Sequence, residues 1–142
     1  MAGPRRRFMV ADIAQQIVGG FLLAGPFVVT AEVWELAWNM NLAQGAIAAL
    51  IVFLIGYGAL YKADDRDPDR EREVGGIPLR FLSLMTVSFG SVLVLALVFD
   101  APATFFNGMG VPREMWPITT AKAVSVGAIF SVVGAATADS VF

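Results

Sequence analysis

Few side chains in this oily chain can carry a charge or a proton. Glu32 stands in the run "GGFLLAGPFVVTAEVWELAW" (Gly19–Trp38), and Lys122, Asp139 and Arg80 stand in or beside other apolar runs. A carboxylate facing an ammonium across apolar helices forms an ion pair or a step for a cation or proton. Alone, either charge at a bilayer centre costs about 2.5–3.5 kcal/mol. Histidine and cysteine are absent. Their absence removes the usual base near neutral pH, zinc sites of imidazole or thiolate, and triads that depend on histidine. The stretch "DDRDPDRERE" lacks the glycine and terminal glutamate of a calcium loop. The letters "GYG" at Gly56–Gly58 lack the surroundings of a potassium filter. No catalytic residue, cofactor or metal site is expected, and no nucleic acid partner.

The elements that must position these groups are membrane helices. Hydrophobic residues make up 57% of 142 positions and charged residues 15%, with a mean hydropathy of +0.70. A soluble domain carries roughly 25% charged residues. Four runs reach the length of about 20 residues that a helix needs to cross a bilayer, at about 12–38, 42–61, 81–99 and 118–142. The N-terminal run continues past signal-peptide length into Trp34 and Trp38, so it reads as a retained helix. The expected fold is all-α: one membrane domain of four transmembrane helices, arranged as two antiparallel hairpins. "NMN" at 39–41 is the turn of the first hairpin. A polar loop at 62–80 joins the hairpins, and a rather apolar loop at 100–117 closes the second. In that outer loop Phe105, Phe106, Met115 and Trp116 are expected at headgroup level.

Arg5, Arg6, Arg7, Lys62, Arg66, Arg70, Arg72 and Arg80 fall on one side of this arrangement, and only Arg113 and Lys122 on the other. The positive-inside rule then puts both termini and the loop at 62–80 in the cytoplasm of a multi-pass cell-membrane protein.

Depth assigns partners. Trp34 and Trp38 are expected to mark the outer interface, which places Glu32 near the outer rim, level with Lys122. These two are expected to face each other or to snorkel separately to water. On the inner side Asp139 lies near the end of the fourth span, where the helix dipole disfavours an anion. Arg80 is level with it, and Asp12 competes for the same cations beside Gln15 and Gln16. The alternative is a solvated rim of charges. Pro26 inside the first span predicts a kink, with the Thr30 hydroxyl bonding back to the Pro26 carbonyl. Small residues supply a packing signal: Ala123, Gly127, Ser131 and Ala135 recur every four residues, and Gly20 and Ala24 form a notch in the first span. Close backbone approach drives helix association in lipid, so the first and fourth spans are expected to meet there. The row on the fourth span is alternatively free for a subunit contact.

Gly19-Gly20, Pro26 and Thr30-x-Glu32-x-Trp34, together with "DPDREREVGGIPLRFLSLMTVSFGSV" (Asp67–Val92), resemble an integral membrane family catalogued as domain of unknown function 2391, of the haloarchaeal type. The resemblance covers nearly the whole chain and implies membrane residence in a halophilic archaeon. A pI near 5.0 and only two lysines agree with it. The family has no assigned reaction, so it implies no site residue.

Two functional classes remain. One is a structural or accessory subunit that assembles with itself or with another membrane complex in the lipid bilayer. The other is a small oligomeric ion or proton pathway using Glu32 and Lys122, with Thr30, the Pro26 break and Asp139 along one side.

Overall fold

The structure is a computed structural model that describes residues 10–63 and 73–141. The arginines at 5–7, 66, 70 and 72, and most of the calcium-like stretch, lie outside the described residues. The fold is all-α, with four helices long and apolar enough to cross a membrane: Val10–Val28, Leu42–Tyr61, Leu79–Val98 and Arg113–Ser140.

The first helix, α1 (Val10–Val28), buries Asp12, Gln16, Gly19, Gly20, Ala24 and Val28 on one face. It ends sooner than the sequence suggests. Pro26 removes the N–H that would reach Leu22, and three β-branched residues follow, Val28, Val29 and Thr30. Such residues lose side-chain freedom in a helix. The chain therefore breaks after Val28 instead of bending at Pro26. Thr30 adopts φ −107°, ψ 131° and precedes a second helix, α2 (Ala31–Asn39). The expected bond from Thr30 to the Pro26 carbonyl does not form; the Thr30 hydroxyl donates to Glu32. The Val28 carbonyl, freed by the break, accepts from the Trp34 indole at 2.9 Å. Trp34 is thus a core residue, 1% exposed, turned inward and not toward a lipid-facing surface. Trp34→Phe keeps most of the apolar bulk but orphans that carbonyl. It is expected to cost about 1–3 kcal/mol, read as a lower unfolding midpoint in detergent. Trp38→Phe is the control and should shift it less.

The chain reverses at Met40–Asn41. Asn41 caps α3 (Leu42–Tyr57) through a capping box: its side chain accepts from the Gln44 N–H at 2.8 Å, and its own N–H donates to the Gln44 side chain at 2.9 Å. α3 is apolar all round, but its inward stripe is small: Gly45, Ala48, Val52 and Gly56. The helix continues as a wider π-helical segment, Gly58–Ala63, which buries Leu60 and Tyr61.

The last part of the loop at 62–80 is a tight hairpin, β1 (Glu73–Val74) paired with β2 (Ile77–Pro78). Gly75 and Gly76 both take positive φ, 61° and 86°, the geometry of a two-residue turn whose twist matches its strands. It leads directly into α4 (Leu79–Val98).

The loop at 100–117 is helical too. α5 (Ala101–Met109) has a proline in its first turn and ends on Gly110 at φ 70°, so ordinary start and stop signals define it. A 3₁₀ turn at Arg113–Met115 leads into α6 (Trp116–Val141). Phe106 is fully buried and packs edge-on against Trp34 at 5.4 Å between ring centroids. It is a core residue and offers no exposed ring.

α6 is the hub. It packs against α1, α3, α4 and α2, whereas α1 and α3 scarcely touch each other. Gly19 of α1 and Gly134 of α6 cross so closely that a Cβ on either would fall on the other's backbone carbonyl.

Candidate functional site

Polar side chains inside the bundle gather at three levels of α6. The first level joins three helices. Asp12 and Gln16, one turn apart, come from α1; Arg80 and Ser83 come from the first two turns of α4; Asp139 comes from the end of α6. The Arg80 guanidinium donates from Nη1 to both Asp139 oxygens, at 2.7 and 2.8 Å, and its Nη2 lies 3.5 Å from Asp12. Gln16 donates to Asp139 at 3.2 Å and accepts from the Ser83 hydroxyl at 2.6 Å. Arg80, Asp139 and Gln16 are fully buried. Depth therefore brings Arg80 and Asp139 together, but in a closed cluster and not as a solvated rim. The guanidinium also offsets the unfavourable carboxylate at the negative end of α6. The neighbouring Gln15 does not join; its carbonyl oxygen is buried without a hydrogen-bond partner.

The second level is neutral. Ser131 donates to the Gly20 carbonyl at 3.0 Å and lies 2.8 Å from the Ser91 hydroxyl. The Ser91 hydroxyl also lies 3.4 Å from the Ser88 carbonyl, so the two hydroxyls share their two protons among each other and two backbone acceptors. The row on α6 now has a reading: Gly127 makes room for Val92 of α4, Ser131 ties α1 to α4, and Ala123 and Ala135 lie in the two apolar clusters. Gly20 and Ala24 face the same junction from α1. The α6 row is consumed inside the chain, so it is not free for a subunit contact.

The third level holds Lys122 and Thr119. Lys122 is 7% exposed, its stem crosses α3 at Gly45, and its ammonium donates to the Met40 carbonyl at the end of α2. A cation suits that negative helix end. Glu32 does not meet it. The expected Glu32–Lys122 pair is absent because the break at Val29–Thr30 restarts the helix with Trp34 turned inward. Glu32 lies two residues earlier, about 200° around the helix, and points to the exterior. The Thr30 hydroxyl and a backbone N–H hold the Glu32 carboxyl below the ordinary carboxylate range. Pro26 is exposed as well, so Pro26, Thr30, Glu32 and Lys122 do not line one side of the bundle.

Ser131 and Lys122 stand nine positions apart on α6, about 13 Å of axis, and the buried residues at this height are Ala123, Val124 and Ala128 of α6 with Val92 and Ala96 of α4. The polar levels are therefore separate. Among the described residues no three acidic side chains converge on a point that a metal ion would occupy.

Two features escaped the sequence reading. The stripe Gly45, Ala48, Val52, Gly56 repeats every three or four residues and was visible as a helix-packing signal. Ser91 opposite Ser131 carried no local signal, since two serines forty residues apart announce nothing until their helices are docked. Comparison with protein-family models, with curated proteins and with solved structures finds no match to this chain.

Proposed function

We propose that this chain is an integral membrane protein with four spans that serves as a structural or accessory subunit, assembling with itself or with another membrane protein. The observation that supports it most is the use of the interior polar groups. Arg80, Asp139, Gln16 and Ser83 bind one another, and Ser91, Ser131 and the Gly20 carbonyl do the same. These groups tie helices together and leave an apolar gap of about 13 Å that a proton or cation would have to cross. The surface left for assembly is apolar, including Ile47, Leu50, Ile51 and Leu54 of α3.

In this reading α1–α2 with α3 forms one antiparallel hairpin and α4 with α6 the other. Both termini and the loop at 62–80 face the cytoplasm, on the lysine and arginine count. The chain is then a compact, haloarchaeal-type relative of the 2391 family, on the strength of the motifs around Pro26 and Asp67–Val92.

A flux assay in proteoliposomes tests the function. Proton and cation leak should equal that of empty vesicles, and Glu32→Gln should change nothing. A leak abolished by Glu32→Gln would replace the scaffold reading with an ion pathway. The topology is tested separately, because the chain has no native cysteine. A membrane-impermeant maleimide applied to whole cells should label Glu114→Cys and leave Glu73→Cys unlabelled until the cells are lysed. The reverse pattern would invert the orientation.

A further inference from the structure

Lys122 lacks the carboxylate that the sequence suggests for it. Among the described residues its ammonium, with three protons to donate, has one acceptor, the Met40 carbonyl. One turn earlier on the same side of α6 stands Thr119, fully buried, its hydroxyl without a hydrogen-bond partner. The contrast with other helical hydroxyls is informative. Thr86, Ser88 and Ser125 each bond back to the carbonyl four residues before them. Thr119 does not, although α6 and the turn before it offer such carbonyls. A buried hydroxyl and spare ammonium protons three residues apart on one helix want an oxygen acceptor with negative charge.

The surroundings are built for one. Gly45 has no side chain where the Lys122 stem crosses α3; a Cβ there would lie 2.9 Å from the lysine Cγ. The capping box fixes the turn that carries Met40 beside the N-terminus of α3, whose first N–H groups are left over by helix geometry and are positive. Leu42 opens a membrane-spanning helix, so this turn sits where hydrocarbon gives way to headgroups.

We propose that Lys122 and Thr119, beneath the α2–α3 turn, hold the phosphodiester of a membrane phospholipid, with Lys122 swinging its flexible stem to keep Met40 and the phosphate together. The inference rests on the membrane reading above but not on the scaffold role.

The test uses the full chain extracted in a neutral detergent. Native mass spectrometry follows binding of added phosphatidylglycerol, of diacylglycerol and of inorganic phosphate to wild type, Lys122→Met and Thr119→Val. Wild type should bind phosphatidylglycerol, with each variant roughly tenfold weaker or more, the scale of a lost charge-assisted hydrogen bond. Equal binding by wild type and both variants overturns the site. Equal binding of diacylglycerol by wild type means acyl contacts only and overturns it. Competition by millimolar inorganic phosphate assigns the site to a free anion and overturns the lipid source. If Lys122→Met does not fold, the isosteric Thr119→Val decides. Recovery of the chain in the soluble fraction without detergent would instead show the membrane reading itself to be wrong.

Discussion

Arg80→Met is expected to destabilise the bundle by about 3–5 kcal/mol, the usual result of removing one partner from a buried ion pair. The argument starts from what the substitution leaves behind. Methionine fills much of the arginine's volume, so cavity formation is a small part of the loss. The larger part is the Asp139 carboxylate, fully buried and then held by the Gln16 amide in place of two guanidinium bonds. Asp12, 3.5 Å from the same guanidinium, loses that neighbour too. α1, α4 and α6 meet at this point, so the loss is felt by three helices at once.

A double-mutant cycle separates this account from simple loss of bulk. Asp139→Leu removes the stranded anion, so Arg80→Met with Asp139→Leu should cost less than the sum of the two single changes, and less than Arg80→Met alone. Unfolding midpoints in mixed detergent would read both. Strict additivity would mean that the pair carries no coupling energy and that the helices are held by their apolar contacts alone.

This cluster was partly legible in the sequence. Counting residues from the ends of the spans puts Arg80, Asp12 and Asp139 at one depth, and depth is well determined when a helix must cross a fixed thickness of oil. Rotation about each helix axis is not determined by that count. Whether the charges face one another or face solvent depends on packing elsewhere, here on the Gly19–Gly134 crossing that sets α1 against α6. The Glu32–Lys122 expectation failed for the same reason. The orientation of Glu32 rested on a continuous first helix, and the chain breaks at Val29–Thr30 instead. Pro26 announced a disturbance; it did not say that three β-branched residues would turn a kink into a break. The helix in the outer loop was legible in principle from Pro102 and Gly110, yet its nine residues are too few to be told from a loop by periodicity. The π-helical extension of α3 had no sequence signal that we can identify in Gly58–Ala63.

Gly19→Leu is expected to separate α1 from α6, the two helices in most extensive contact, and to lower the yield of folded protein sharply. In the membrane proposed for this chain, side chains gain little by leaving lipid for one another, so association depends on how closely backbones approach. At this crossing the nearest obstacles to a side chain are main-chain atoms, with Ala138 and Leu23 close behind. A Cβ on Gly19 falls on the Gly134 carbonyl and near the Ala138 side chain, and a Cβ on Gly134 falls on the Gly19 carbonyl. Backbone cannot yield as a long side chain can, so the helices must move apart. Ordinary overpacking costs about 1–3 kcal/mol, and this case belongs at or above the top of that range. The separation also pulls Ser131 from the Gly20 carbonyl at 3.0 Å and Gln16 from Asp139 at 3.2 Å, so polar ties fail along with the contact.

Gly90→Ala and Gly25→Ala are the matched controls. A Cβ at either position meets nothing within 4 Å. Both lie within helices, where alanine is preferred to glycine by about 0.5–1 kcal/mol, so both should be neutral or slightly stabilising. The measurement is the monodisperse fraction and unfolding midpoint of each variant after extraction in detergent. If Gly19→Leu matched the controls, α1 and α6 would not be in contact as described, and the depth assignments that follow from their crossing would fall with it.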